Sequence, residues 1–146
     1  MRQEVSAYEA VGPQLRHCLD HFLCLLRGVE SGAVNYDARD RDPRLEEDPQ
    51  YFLTTLDSVV RQLQSMDPAV LRRALTLHQE VAPGGQSGRV DTNMERELAF
   101  LSSHTIHHIA IVSLLAGAWG VEVPSGLGVA FSTATFTERH TTSEAG

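Results

Sequence analysis

The sequence contains no lysine, and all 12 of its basic residues are arginine. Basic residues are outnumbered by 19 aspartates and glutamates, which leaves a net charge of -7. The arginines form no stripe or arm along the chain. An acidic chain of this kind repels phosphate backbones instead of displacing their counterions. We therefore expect no nucleic-acid partner.

Cysteines and long hydrophobic runs are also scarce. Cys18 and Cys24 are six residues apart in a predicted helix, on different faces and too distant along its axis for a disulfide, so we expect reduced thiols. The longest apolar run, IAIVSLLAGAW (109–119), is too short to cross a bilayer. The first ten residues, MRQEVSAYEA, do not have the basic-then-apolar pattern of a leader. These observations favour a soluble, cytoplasmic protein that does not associate with membranes.

What the sequence does contain is helical periodicity. At 146 residues and 42% hydrophobic content, one domain over residues 1–146 is the simplest arrangement. Apolar residues recur with a period of 3.6 over 8–29, with Pro13 near the start of that helix, and over 51–66. A third helix is predicted to begin at a capping box formed by Thr92 and Glu95 and to continue to about Trp119. The predicted fold class is mainly α.

The connecting segments have different patterns. Residues 28–50 carry dense alternating charge without periodicity, which predicts a long solvated connection, with Asp48 and Pro49 opening the next helix. Residues 75–90 alternate before a glycine-rich turn, which favours extended structure or a small hairpin. In the tail, the first half of 121–146 could pack as an irregular strand, and residues 137–146 are expected to be mobile.

The stretch SSHTIHHIAIVSLL (102–115) places histidines inside an apolar helix, where unpartnered imidazoles are costly. His104 and His108 are four residues apart and share a face, whereas His107 is rotated away from it. His17 and His21 form a second pair with this spacing, and one or both could meet the first pair across two packed helices. Neutral imidazoles suit zinc, nickel or iron(II), and three of them leave coordination positions open. The alternative is a hydrogen-bonded cluster without metal.

The chain lacks two familiar metal-binding motifs, which narrows the possible classes of metal site. Thr105 occupies the place of the metalloprotease glutamate after His104, and the chain has no Glu-x-x-His motif of the di-iron type. Glu97 lies on the predicted ligand face, where it could orient a ligand or move a proton, or could simply favour the helix dipole. His78 and His140 are expected to be exposed and without a role.

Two stretches, VGPQLRHCLDHF (11–22) and RELAFLSSHTIHHIAIV (96–112), resemble the DinB/YfiT-like superfamily of metalloenzymes. The resemblance covers most of the chain and implies a four-helix bundle that binds a divalent metal through one early histidine and a later His-x-x-x-His pair. Carried onto this sequence, the ligands are His17, His104 and His108, and His21 is an extra or alternative ligand nearby. Residues 35–43 and 128–133 also look like segments of closer relatives, without an assigned role.

The chain departs from the family at its N-terminus. Members usually have a full helix before the one that carries the first histidine, whereas only about ten residues precede the first helix here. The tail or a second subunit would then complete the bundle. The stretch LLAGAW (114–119) is apolar on all sides, which fits either a homodimer or burial within the chain.

Relatives in this family include S-transferases that use bacillithiol or similar low-molecular-weight thiols, and a mycothiol-dependent isomerase. The resemblance therefore implies, most plausibly, transfer of such a thiol to an electrophile. A metal with three neutral ligands keeps its positive charge, which lowers the pKa of a bound thiol or water and generates the nucleophile. Whether the protein is an enzyme stays open, because a non-catalytic metal-binding or structural helical module is the alternative. With histidine ligands, the metal should leave as the imidazoles protonate below about pH 6.

Overall fold

The computed structural model describes residues 6–144, and their side chains as far as residue 138. The first helix, α1, spans Ala7–Ser31 and confirms the predicted helix. It begins at a capping box, in which the Ser6 hydroxyl accepts from the Glu9 amide and the Glu9 carboxylate accepts from the Ser6 amide. Pro13 lies inside α1 instead of near its start. Gly32 ends the helix with φ of 82°, a conformation that glycine adopts without strain.

The connection after α1 is less solvated than predicted. It contains strand β1 (Ala33–Asn35), a 3-10 helix (Tyr36–Ala38) and a short helix α2 (Arg44–Glu47). Val34, Tyr36 and Leu45 are each at most 5% exposed. The prediction failed because isolated apolar residues among charges produce no periodic signal. The next helix, α3 (Pro49–Gln64), is capped by Asp48 as predicted.

The predicted hairpin is confirmed. After a 3-10 helix (Pro68–Arg72), strands β2 (Ala74–Ala82) and β3 (Gln86–Asn93) pair antiparallel, and β1 pairs parallel with β2 to give a three-stranded sheet. Helix α4 (Met94–Ala118) follows directly, and its cap is Asn93, not Thr92. The Asn93 side chain accepts from the Arg96 amide, whereas the Thr92 hydroxyl donates to Glu97.

The first half of the tail contains no strand, since residues 121–130 form turns and irregular backbone, and helix α5 (Phe131–Glu144) follows. Its Phe131 and Phe136 side chains are 72% and 62% exposed, so burial imposes no apolar pattern from which the helix could be predicted. The expected mobility of 137–146 stays a prediction, and residues 145–146 lie outside the described part of the chain.

The core is built around α1. Helices α2, α3 and α4 all pack against it. One apolar cluster joins α1 to α4 and the sheet, and its buried members are Cys24, Leu25, Val29, Val34, Tyr36, Leu75, Met94 and Leu101. A second cluster joins α1 to α2 and α3 through Leu19, Leu45, Phe52 and Val59. The fold is therefore mainly α with a small sheet; a four-helix bundle stays a prediction.

The second half of α4 is apolar but poorly covered. Among the described residues, α4 is the one helix long and apolar enough to cross a membrane by length and composition, although such a helix is weak evidence for a span. Only 11% of its most apolar 18-residue window is buried. Leu114 is 76% exposed and Trp119 48% exposed. Burial within the described chain therefore does not account for this surface.

Candidate metal centre

Three histidines from two helices meet at one end of the contact between α1 and α4. The two helices run antiparallel, since residue 14 contacts residue 108 and residue 17 contacts residue 104. The Nε2 atoms of His17 and His104 are 3.0 Å apart. One nitrogen from each of His17, His104 and His108 lies within 4.8 Å of the other two. All three residues are half-buried, so small molecules can still reach their rings.

The chemistry of this donor set fits a divalent transition metal. Ligand nitrogens on a tetrahedral zinc ion are about 3.3 Å apart, given bonds of about 2.0–2.1 Å. The 3.0 Å between the Nε2 atoms of His17 and His104 is close to this distance. Imidazole is a good ligand for zinc, nickel and iron(II). The three histidines could therefore hold a metal ion, and the donor set by itself does not select which one.

The protonation state of the cluster also suits ligation. Burial, followed by the neighbouring His21 and His108, lowers the pKa of His17 to about 3. Burial, followed by His21 and His108, lowers the pKa of His104 to about 4. Burial also lowers the pKa of His108. The imidazoles are therefore neutral at pH 7, which is the form that binds a metal.

Gln14 orients His108, a role that was not predicted from the sequence. The side-chain oxygen of Gln14 accepts a hydrogen bond from His108 Nδ1–H at 2.7 Å, which leaves Nε2 of that ring free as a ligand atom. The role could have been predicted from spacing, because Gln14 precedes His17 by three residues and therefore lies on the same face of α1.

His21 borders the cluster without being one of the three convergent ligands. Its ring centroid is 4.5 Å from those of both His17 and His104. Its Nδ1 donates to the His17 carbonyl oxygen at 2.7 Å, and its ring stacks on Tyr36 at 5.2 Å. Only Nε2 remains for a ligand. Its predicted role as an alternative ligand stays a prediction.

Glu97 is buried, 3% exposed, and its contacts are hydroxyl groups. The Tyr36 hydroxyl donates to one carboxylate oxygen at 2.8 Å, and the Thr92 hydroxyl donates to the other at 2.7 Å. Burial, followed by the hydrogen bond to Glu97, raises the pKa of Tyr36. Glu97 thus reaches the cluster indirectly, through the stacking of Tyr36 on His21; its direct role in orienting a ligand stays a prediction.

The remaining candidate side chains lie elsewhere. His107 is exposed on α4. His78 lies opposite Arg89 in the hairpin and is half-buried, not exposed as predicted. The side chain of His140 lies outside the described part of the chain. Cys18 and Cys24 are free and buried, as predicted, and burial raises the pKa of Cys18 to about 11, so it is not an activated thiolate.

A cavity of about 630 Å³ lies on the other face of α4, between this helix and the start of α5. It is lined by His107 and Phe131 among others, and by none of the three convergent histidines. The segment 128–133 lines one side of this cavity. It approaches α4 closely, since a Cβ atom at Gly128 would lie 2.5 Å from the Ala110 amide nitrogen.

No family model matches the chain, and no solved structure matches it. The sequence is similar to FK506-binding protein 5 of Rhizopus delemar, with 29% identity over 101 residues. The match covers 68% of this chain and 26% of the relative, so the chain spans about a quarter of that protein's length. This similarity does not establish a family.

Proposed function

We propose that the protein is a DinB/YfiT-like metalloenzyme that binds a divalent metal and transfers a low-molecular-weight thiol to an electrophile. The observation that supports the proposal is the convergence of ligand nitrogens from His17, His104 and His108 within 4.8 Å, on two helices packed against each other. The same three positions match the ligand pattern of that family. Zinc, nickel and iron(II) all remain candidate metals.

Each residue has a defined task in this proposal. His17, His104 and His108 would hold the metal, which supplies positive charge that favours the deprotonated form of a thiol. Gln14 fixes the tautomer of His108. Because the three ligands are neutral, they cancel none of that positive charge. The half-buried rings leave one side of the site accessible to a thiol.

A non-catalytic module is the second candidate, and one observation favours it. The histidines already have partners without a metal, since His17 and His104 share a hydrogen bond and His108 bonds Gln14. Such a cluster could serve only to join α1 to α4. In that case metal, if bound, would stabilise the helix packing and no thiol would react.

Thiol transfer in two variants separates the candidates. The purified protein is loaded with zinc, nickel or iron(II), supplied with bacillithiol or mycothiol and a chromogenic aryl halide, and compared with His104→Ala and with His107→Ala as the exposed control on the same helix. The enzyme proposal expects transfer by the parent and His107→Ala, and none by a folded His104→Ala. Loss of folding in His104→Ala, with no transfer by the parent, would favour the structural module.

The proposal also includes a cytoplasmic location, where such thiols are kept reduced, and a homodimer. The homodimer would cover the exposed Leu114 and Trp119 at the end of α4. Sedimentation of the parent beside Leu114→Glu tests the dimer: a dimer that becomes a monomer in the variant is expected, and a monomeric parent would contradict it.

A further inference from the structure

Arg39 lies beside the histidine cluster without an acidic partner. It directly follows the 3-10 helix Tyr36–Ala38, and its Nη1 donates to the Tyr36 carbonyl oxygen. Its Nε is buried and has no hydrogen-bond partner, and Arg39 forms no salt bridge with any described residue. In contrast, the nearby Arg16 and Arg27 are paired with carboxylates. Arg39 is therefore a cation with unused donors.

The hydrogen bond to the Tyr36 carbonyl oxygen holds Arg39 near the histidine cluster. The Tyr36 ring stacks on His21, and the His21 ring lies 4.5 Å from His104. The guanidinium is close enough for its charge to contribute, after burial and the neighbouring histidines, to the lowered pKa of His17. The unused donors of Arg39 thus belong to the surroundings of the metal centre.

The chemistry of these donors points to an anion. A guanidinium presents a planar fork that matches a carboxylate, and a buried donor without a partner costs free energy that a bound ligand would recover. The neighbouring carboxylate of Glu97 is already bonded to Tyr36 and Thr92. The three neutral imidazoles supply no negative charge either. The buried Asp20, whose charge acts on His21, is paired with Arg16. An anion from outside the described chain could therefore use the free donors of Arg39.

We propose that Arg39 binds the carboxylate of the incoming thiol, so that the site selects anionic low-molecular-weight thiols over neutral ones. This inference rests on the proposed thiol transfer and adds the class of thiol. It also assigns a role to the segment 35–43, because Tyr36 and Arg39 of this segment lie near the cluster.

Two thiols that differ only in charge test the inference. N-acetylcysteine and N-acetylcysteinamide are titrated into the cobalt(II)-loaded protein, and binding is followed by the absorption of the cobalt–thiolate bond. The parent is compared with Arg39→Gln and with Arg89→Gln, which removes the same charge from an exposed position on β3. We expect the acid to bind about tenfold more tightly than the amide in the parent and in Arg89→Gln. The two should bind equally to Arg39→Gln.

Equal binding of acid and amide to the parent, or a preference that survives in Arg39→Gln, would overturn the inference while leaving thiol binding intact. If neither thiol changes the cobalt spectrum, the proposed function fails. Arg39 is then tested with N-acetylalanine and its amide by ligand-observed NMR, because these probes need no sulfur ligand. A preference for the acid that depends on Arg39 supports the subsite, and its absence overturns it. If Arg39→Gln does not fold, Arg39→Lys replaces it and should reduce the preference.

Discussion

The contact between α1 and α4 has two ends of different character. At one end, Leu25, Met94 and Leu101 are fully buried. At the other end, the rings of His17 and His104 are half-buried and meet nitrogen to nitrogen. The first end removes apolar surface from water and stabilises the helix pair. The second end keeps imidazole lone pairs near solvent, where the three histidines could hold a metal ion. The apolar packing and the candidate metal centre thus lie at different ends of one helix pair.

The largest expected effect on stability is at the apolar end. Leu101→Ala should lower the free energy of unfolding by about 2–5 kcal/mol, because it opens a cavity beside Leu25 and Met94. Denaturant unfolding of metal-free protein measures this. A matched change at the exposed Leu53 of α3 should cost little. Equal costs at the two positions would contradict the assignment of the core.

Tyr36→Phe should have the next largest effect, since it leaves the buried Glu97 carboxylate with Thr92 as its remaining hydroxyl donor. We expect a loss of about 1–3 kcal/mol in the free energy of unfolding. The control is Tyr51→Phe, whose hydroxyl bonds the exposed Arg44 and Asp42. If both variants lose the same amount, the buried network does not stabilise the fold as the structure indicates.

The pH dependence of the metal-free protein tests the histidine end. An unfolded histidine has a pKa of about 6.5. In the folded protein, the pKa is about 3 for His17 and about 4 for His104. The unfolded chain therefore binds more protons than the folded chain below pH 6.5. The neutral histidines cost no stability above that pH, and the free energy of unfolding falls as the pH drops toward 4. His104→Ala should flatten this dependence; an unchanged profile would show that His104 does not titrate as described.

The low pKa values of His17 and His104 also lower the pH at which we expect the metal to be released. The sequence alone predicts release below about pH 6. Because the folded imidazoles take up protons only near pH 3–4, protons compete less well, and metal should be retained until the pH approaches 4. Metal content after dialysis at stepped pH measures this. Complete release already at pH 6 would contradict the environment described for the rings.

The sequence predicted the parts of the fold that have periodic or local signals. The three long helices and the hairpin were predictable from apolar spacing and turn residues. The end of α4 was predictable because Gly120 readily adopts the positive φ that follows the helix. The helix start was wrong by one residue because Thr92 and Asn93 are both good caps, and tertiary contact with Glu97 decides between them. Helix α5 was missed because its apolar side chains are exposed and leave no pattern.

The candidate site was predictable only in part. The four-residue spacing placed His104 and His108 on one face, but spacing alone left His17 and His21 equivalent. The structure separates them, because a ring nitrogen of His17 lies within 4.8 Å of ring nitrogens of His104 and His108, and His21 is not part of that convergent set. Gln14, Tyr36 and Arg39 could not be assigned, since their positions beside the cluster depend on how the antiparallel helices and the segment 35–43 pack.

Metal content tests the central claim most directly. The full chain, prepared without chelating tags and reconstituted separately with zinc, nickel and iron(II), is dialysed and analysed by mass spectrometry beside the double variant His104→Ala, His108→Ala and the control His107→Ala. We predict about one metal ion per chain in the parent and in His107→Ala, and none in the double variant. No bound metal in the reconstituted parent, or equal metal in the folded double variant, would contradict the three-histidine centre.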